Sequence, residues 1–545
     1  MLTGQRRTAY YRSGFRSGCG EAVAVAFPGT LVEMWRTLQV CVDHACAIIV
    51  QATKTGLTEG SCPSGNDYGR PVVIINVKRL RGLKLLDQGK QVLAFPGTSL
   101  YEVTKQLQPL GREPHSVIGS TTIGATVIGG IANNAGGALC KRGSSYTELA
   151  MYAKVDQAGN LVLVDELGIE GLGDSPEEKL RRLEAGDFQE GDVKRWDATA
   201  SDRGYASRIR DIDATVPNRY NADPSRLYGV SGSAGKVAAF AVRVDTYPAP
   251  ARKSVFYIGT NNPAHWVKLR RDVLQNFEHL PEMVEYMDRG MFDAATKFGK
   301  DVFLSIKHLG TERLPKAYAL KASVEGILNR VPCLPKFIPD LMLYYASNCW
   351  PNHLPKRLCE FRDRFEHYLI FVAADECIQE TESYLESLRR ECSDVDSFCC
   401  TEDEQQAALL HRFSAAGAGI RFQNVHQRIT EEVLALDVAL LGRDEAWIEP
   451  PPPEVQEHLV IGLTYGHFLC HVFHMDYIFK TGTDVNAMKK ILLSRLDERG
   501  AKYPAEHNVG HLYQAGPEQR KHFESLDPTN TFNPGIGGTS KLAHR

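Results

Sequence analysis

Two glycine-rich stretches constrain this chain more than any other feature. The first, Val50–Gly60 (VQATKTGLTEG), follows the apolar run CAIIV. The second, Ile118–Gly137 (IGSTTIGATVIGGIANNAGG), lies about sixty residues further on. Neither is a nucleotide-triphosphate loop of the form G-x-x-x-x-G-K-[ST], because Lys54-Thr55 precedes Gly56 rather than following a glycine. The later GVSGSAGKV also fails: Val230 stands where the first glycine belongs, and Lys236 is followed by Val237. No G-x-G-x-x-G opens a helix after a first strand, which argues against a nicotinamide dinucleotide. What remains is a pair of turns whose backbone N–H groups can converge on an anion, with glycines allowing close approach. Thr55, Thr58 and Ser61 add hydroxyl donors. Two such segments suit a long ligand that carries a diphosphate.

The chain of 545 residues is too long for one ordinary core, so two or three domains are expected. Short strand-like runs (AVAVAFPG, CAIIVQAT, PVVIINV, QVLAFPG) alternate with helix-like segments such as LVEMWRTLQVCVDHA over residues 21–150. Phe-Pro-Gly-Thr occurs at Phe27–Thr30 and Phe95–Thr98, each copy closing a strand and opening a helix-like run. Residues 165–215 turn polar and read as a surface excursion; an apolar run resumes at GKVAAFAVRVDTY, and PAPARK marks a boundary. Residues 290–365 interleave Lys297, Lys300, Lys307, Arg313, Lys316, Lys321, Arg330, Lys336, Lys356 and Arg357 with aromatic residues. A net charge of -3 argues against a nucleic-acid binder, and no apolar run approaches the ~20 residues of a bilayer span. The thirteen scattered cysteines, without a C-x-x-C pair, suggest reduced thiols in a cytoplasmic setting.

QATKTGLTEG and IGSTTIGATVIGGIANNAGG together resemble the two FAD-binding segments of the vanillyl-alcohol oxidase (PCMH) type of flavoprotein. Within it, YRSGFRSG, GREPHSVIGS, RYNADPSRL, YPAEHNVGH and DPTNTFNPGIG resemble the respiratory, membrane-peripheral D-lactate dehydrogenases that use quinone. The resemblance covers nearly the whole chain. It implies an α+β fold: a FAD-binding domain of two α/β subdomains over residues 1–247 and an α/β cap over 248–289 and 366–495. A mostly helical, basic membrane-binding insertion would occupy 290–365, and a C-terminal segment over 496–545 would pack back on the FAD-binding domain. It assigns FAD contacts to Ala52, Thr53, Lys54, Thr55, Gly56, Gly60, Ser61, Gly119, Thr126 and Gly136. GKVAAFAV would place Ala239 and Phe240 beside the flavin pyrimidine. Residues 50–66 contain no histidine and only Cys62, so FAD is expected to be non-covalent.

Tyr465–His474 (YGHFLCHVFH) holds three histidines. On a helix all three share a face; on a strand His467 and His471 share one face and His474 takes the other. Related 2-hydroxy-acid dehydrogenases carry G-H-x-G-D-G-N-x-H and E-H-G-x-G, which can bind a divalent metal and supply a histidine base. His467 and His474 match the outer positions of the first motif; Leu469-Cys470-His471-Val472 replaces its centre, and Asn508 replaces the glycine after Glu506-His507. His467, His474 and Glu506 are chemically suited to zinc or manganese; without a metal they would polarise the substrate hydroxyl directly.

Oxidising a 2-hydroxy acid requires a base for the hydroxyl proton and a flavin for the hydride. The resemblance gives His507 the role of base, with His467 and His474 steadying the alkoxide. The substrate carboxylate needs a cation, for which Arg412, Arg421 and Arg289 are candidates, Arg412 standing near the family's arginine. The expected partners are D-lactate, a membrane quinone and anionic phospholipid, at the cytoplasmic face of a bacterial inner membrane. Rival readings are a dehydrogenase of glycolate or 2-hydroxyglutarate and a flavin subunit that only shuttles electrons.

Overall fold

The computed structural model describes residues 1–194, 198–310 and 337–544, together with Lys321, Val324 and Leu328. Arg313, Lys316, Arg330 and Lys336 of the basic stretch lie outside the described residues. The chain builds three sheets. The first has the order β1-β2-β4-β3, from β1 (Leu2–Thr3), β2 (Ala24–Ala26), β3 (Ala47–Gln51) and β4 (Val72–Asn76). β2, β3 and β4 are parallel, and β3 and β4 are almost wholly buried, which is why AIIVQ and VVIIN read as apolar runs. The amphipathic helix Leu31–Asp43 crosses between β2 and β3, capped by the Thr30 hydroxyl at the end of the first Phe-Pro-Gly-Thr. The second copy leads into the helix Leu100–Leu107, closed by a capping box between Ser99 and Glu102.

The second sheet runs β5-β6-β10-β8-β9, with β7 also paired to β10. Its strands are β5 (Leu83–Leu86), β6 (Gln91–Ala94), β7 (Arg112–Pro114), β8 (Ala150–Val155), β9 (Leu161–Asp165) and β10 (Ala238–Pro248). The long central β10 carries a register shift between Ala239 and Ala241. Phe240 points into the core shared with Trp35 of the helix Leu31–Asp43. The polar excursion is not wholly superficial: its helix Pro176–Ala185 buries Leu180 and Leu183 in that core.

The third, antiparallel sheet has the order β14-β11-β13-β12-β16-β17-β15. It comprises β11 (Lys253–Thr260), β12 (Met283–Asp288), β13 (His367–Ala374), β14 (Val395–Cys399), β15 (Thr430–Ala439), β16 (Leu459–His467) and β17 (Val472–Lys480). The residues between β12 and β13 begin and end in helices of this layer: Met291, Phe292, Ala295, Leu358 and Phe361 all join its core. Between them, the helix Ile338–Asn348 leaves Met342, Leu343 and Tyr345 exposed, followed by Trp350. No described helix is long and apolar enough to cross a membrane.

The C-terminal segment returns to the first sheet. Phe532 bridges to Ile48 of β3, and the Asn533 amide donates to the carbonyls of Gly60 and Ala234 at 2.8 and 2.7 Å. Just before it, Gly510 lies so close to Thr58 that a Cβ there would fall 1.8 Å from the Thr58 carbonyl oxygen, and His511 N donates to that oxygen at 2.9 Å. The loop after Glu506-His507 is thereby seated on the first glycine-rich turn.

Candidate active site

Four neighbouring strands carry the site. Glu285 of β12 stands opposite His467 of β16, Tyr465 opposite His474 of β17, and His474 opposite Asp437 of β15. Opposed residues of an antiparallel sheet share a face, so these five side chains form one row. The chain reverses between the outer histidines: β16 turns into β17 through Phe468–His471, with His471 in the left-handed region at φ 57°. The three histidines therefore lie neither on one helix nor on one strand. His467 and His474 meet, while His471 is buried elsewhere against the Leu441 carbonyl at 2.7 Å.

Glu506 and His507 reach this row from the C-terminal loop. One oxygen of Asp437 accepts from Glu506 N at 2.7 Å, His507 N at 3.2 Å and His507 Nδ1 at 2.7 Å. Burial would raise the Asp437 carboxyl, but the facing His507 ring and its hydrogen bond outweigh it and hold it below the usual range. Burial likewise opposes charge on His507, and the Asp437 carboxylate overcomes it, so the imidazole sits above its ordinary pKa. His507 Nε2 has no partner among the described residues, and the side chain is 30% exposed in surroundings otherwise buried.

His467 lies between two carboxylates, with Nδ1 2.6 Å from Glu285 and Nε2 3.1 Å from Glu506. Burial works against its charge, but Glu285 and Glu506 push it up to about 10. His474 stands 3.4 Å from Asp437 through Nδ1 and 3.7 Å from Glu506 through Nε2. Burial dominates there and lowers it to about 4, leaving a neutral ring. Glu506 also pairs with the buried Arg219, which donates to the Gly137 carbonyl at 2.6 Å. A Cβ on Gly136 would come within 2.7 Å of the Glu506 carboxylate. The end of the second glycine-rich segment thus abuts the acid beside His467.

The ring nitrogens of His467 and His474 and one oxygen of Glu506 lie within 4.8 Å of one another. Each of these histidines has a carboxylate near its other nitrogen, Glu285 or Asp437, the arrangement that orients imidazole ligands of a divalent ion. The donor set fits zinc or manganese, which would replace the proton shared by His467 and Glu506. The glycine-rich turns fit a diphosphate cofactor in the same sense. A Cβ on Gly56 or Gly119 would meet nothing within 4 Å, so both turns face open space. Lys54 and Glu59 adopt left-handed φ of 59° and 66° in the first turn, a backbone arrangement that opens N–H nests. Thr126 caps the helix Val127–Ala132 by accepting from Gly129 N at 3.1 Å. Ala52, Thr53, Thr55, Gly60 and Ser61 line up on the first turn after β3, and Ala239 sits at the β10 irregularity. The Asn508 amide and the Ser233 hydroxyl are buried without partners among the described residues.

The three arginines expected to receive the carboxylate are engaged otherwise. Arg412 reaches the site but pairs with Glu285 at 2.6 Å and lies over the Tyr465 ring at 4.6 Å. Arg421 binds Asp301 and Asp340 at 3.0 and 2.8 Å, and Arg289 binds Glu366 at 2.7 Å. Sequence reasoning missed Glu285, Asp437 and Arg219. The signal for the first two was present: an acid inside the apolar strands MVEYMD and VLALDVAL.

Residues 22–164 match the family described as FAD binding domain, and residues 255–545 match D-lactate dehydrogenase, membrane binding. The chain is 50% identical over 541 residues to the quinone-dependent D-lactate dehydrogenase of Escherichia coli strain K12, covering 99% of this chain and 94% of that one. It is 48% identical to the enzyme of that name from Haemophilus influenzae, covering 99% and 96%, and 42% identical to that of Corynebacterium glutamicum, covering 99% and 94%. Among solved structures it shares the fold of p-cresol methylhydroxylase (TM-score 0.58, 12% identity, 99% and 94% covered). It also shares that of 4-ethylphenol oxidase from Gulosibacter chungangensis (TM-score 0.56, 11% identity, 99% and 94% covered). With a FAD-binding domain of this type joined to a membrane-binding cap, the chain belongs to the family of quinone-dependent D-lactate dehydrogenases.

Proposed function

We propose that the chain oxidises D-lactate to pyruvate with non-covalent FAD and delivers the electrons to a quinone in the membrane it rests on. The observation that carries this reading is the Asp437–His507 pair: Nδ1 is held at 2.7 Å, and Nε2 is left without a protein partner in an otherwise buried row. When bound along the two glycine-rich segments, FAD supplies the acceptor for the hydride from the substrate carbon. His507 takes the hydroxyl proton at Nε2, and Asp437 steadies the imidazolium that forms. His467 cannot donate to the developing alkoxide while both its nitrogens serve Glu285 and Glu506. That role falls to His474, which burial keeps neutral, or to a divalent ion held by His467, His474 and Glu506. Arg219 holds Glu506 against the flavin-binding segment.

The membrane reading rests on the helix Ile338–Asn348 and the residues after it. Met342 and Tyr345 are 67% and 63% exposed, with Trp350 at 54%, a set suited to the interface of an anionic phospholipid surface. All described cysteines are free thiols, which suits the cytoplasmic face.

The test is anaerobic mixing of the FAD-loaded protein with D- and L-lactate, glycolate and D-2-hydroxyglutarate. D-lactate bleaches the flavin fastest, and L-lactate does not bleach it at a comparable rate. A flavin that stays yellow with every 2-hydroxy acid sinks the proposal.

A further inference from the structure

With Arg412, Arg421 and Arg289 committed to carboxylates, another cation must meet the substrate. The turn Gly14-Phe15-Arg16-Ser17-Gly18 supplies one. It is closed by Gly14 N donating to the Gly18 carbonyl at 2.9 Å, and a Cβ on Gly14 would fall 2.1 Å from the Ser17 carbonyl oxygen, so only glycine permits this tightness. Two bonds seat the turn on the first glycine-rich segment: Ser17 Oγ donates to Glu59 at 2.6 Å, and Lys54 Nζ donates to the Ser13 carbonyl at 2.9 Å.

Arg16 stands at the tip of this turn and reaches across to the cap, with Nη2 3.5 Å from the Ala416 carbonyl. It is exposed, and among the described residues it has no carboxylate within ion-pair distance. Its guanidinium bridges the N-terminal turn to the cap, whose sheet carries the row described above. Asp476 is a further acid on the face of that row: it lies two residues after His474 on β17, is buried, and has no hydrogen bond or ion pair among the described residues. Its carboxylate lies against Gly419, where a Cβ would be 2.9 Å away. Gly419 is three residues from Ala416, so Arg16 and Asp476 both lie against the junction of the helices Glu402–Ala415 and Ala418–Val425.

We infer that Arg16 is the binding residue for the substrate carboxylate, and that Asp476 is the anion it faces when substrate is absent. The inference rests on the 2-hydroxy-acid reading above. A 2-hydroxy acid is gripped at two points in this arrangement: its hydroxyl at His507 and its carboxylate at Arg16. Arginine suits the second role because its fork can donate two parallel bonds to one carboxylate. The N-terminal turn is thereby part of the pocket.

The experiment compares D-lactate with D-lactamide, which keeps the hydroxyl and loses the charge, by anaerobic flavin reduction in preparations of equal FAD content. In the unmodified protein kcat/KM favours D-lactate. Arg16→Gln reduces that preference on the order of 10- to 100-fold, chiefly through KM for D-lactate, as expected for losing a hydrogen bond to a charged group. Arg16→Lys retains part of the preference, and Asp476→Asn tightens D-lactate binding by removing the competing anion. A preference in Arg16→Gln within about threefold of the unmodified value overturns the inference. So does an equal loss on both substrates, which marks a merely structural turn. If D-lactate fails to bleach the unmodified flavin, the substrate reading fails first and this inference with it.

Discussion

Replacing Asp437 by asparagine isolates the charge behind the proposed base. Three donors converge on one Asp437 oxygen: the amides of Glu506 and His507 and the His507 ring. An NH₂ group cannot accept from them, so the asparagine oxygen must occupy that position and its nitrogen the other, facing His474 Nδ1, which now stands 3.4 Å from Asp437. The His507 tautomer is therefore preserved, with Nε2 still free. What is lost is the anion that steadies the imidazolium. A hydrogen bond to a charged group contributes about 1.5–3 kcal/mol, so flavin reduction should slow roughly 10- to 150-fold. The rate should also change its response to pH. The base must be neutral, and Asp437 holds His507 above its ordinary pKa. Without that charge the pKa falls, and the rising limb of the rate moves to lower pH. Anaerobic stopped-flow of the flavin signal measures both, with FAD content and melting temperature as controls. Asp437→Ala, which also orphans the two amides, should be slower still and less stable. A reduction rate in Asp437→Asn within about threefold of the unmodified protein, with an unmoved pH profile, would refute the role of His507 as base.

Glu285→Gln leaves Arg412 without its partner and withdraws charge from His467 in a buried setting, which should cost about 3–5 kcal/mol of stability, read by denaturant unfolding. His115 and His411 are buried and pushed down to about 4 and about 3, so they stay neutral in the folded protein while an unfolded chain takes up protons near pH 6.5. Stability is complete above that pH and falls as pH drops through it; at pH 5 each ring should cost on the order of 2 kcal/mol. His411→Gln should flatten that slope by about one proton. Elemental analysis should find one divalent ion per chain if the His467–His474–Glu506 set is filled, and Glu506→Gln should lose it. Replacing Met342, Tyr345 and Trp350 together by serine should weaken sedimentation with anionic vesicles and leave reduction by D-lactate in solution unaltered.

Much of the cofactor side was legible because its chemistry is local. A phosphate turn announces itself through glycines and hydroxyls within ten residues, and the strands around it are apolar runs that only a buried parallel sheet explains. The proposed catalytic row was half legible. His467, His474 and Glu506-His507 stand close together in sequence, yet their geometry depended on a reversal at His471 that neither helix nor strand periodicity contains. Glu285 and Asp437 lie roughly 180 and 70 residues from the histidines they hold, and only strand register brings them there. The partners of the arginines were hidden for the same reason: charge is visible in a sequence, but its partner is not. Arg16 sat in a stretch that carried resemblance and offered no hint that its turn would bridge to the cap.

The return of the segment that carries Glu506, His507 and Phe532 to the first sheet has a bearing on biosynthesis. As the polypeptide leaves the ribosome, every surface that Glu506 and His507 dock against has already emerged. The imidazole arrives after them, on the same segment that lays Phe532 beside Ile48. A nascent chain that has not yet reached residues 506 and 507 thus holds the segments of its glycine-rich turns and of the strand row, but not the proposed proton acceptor.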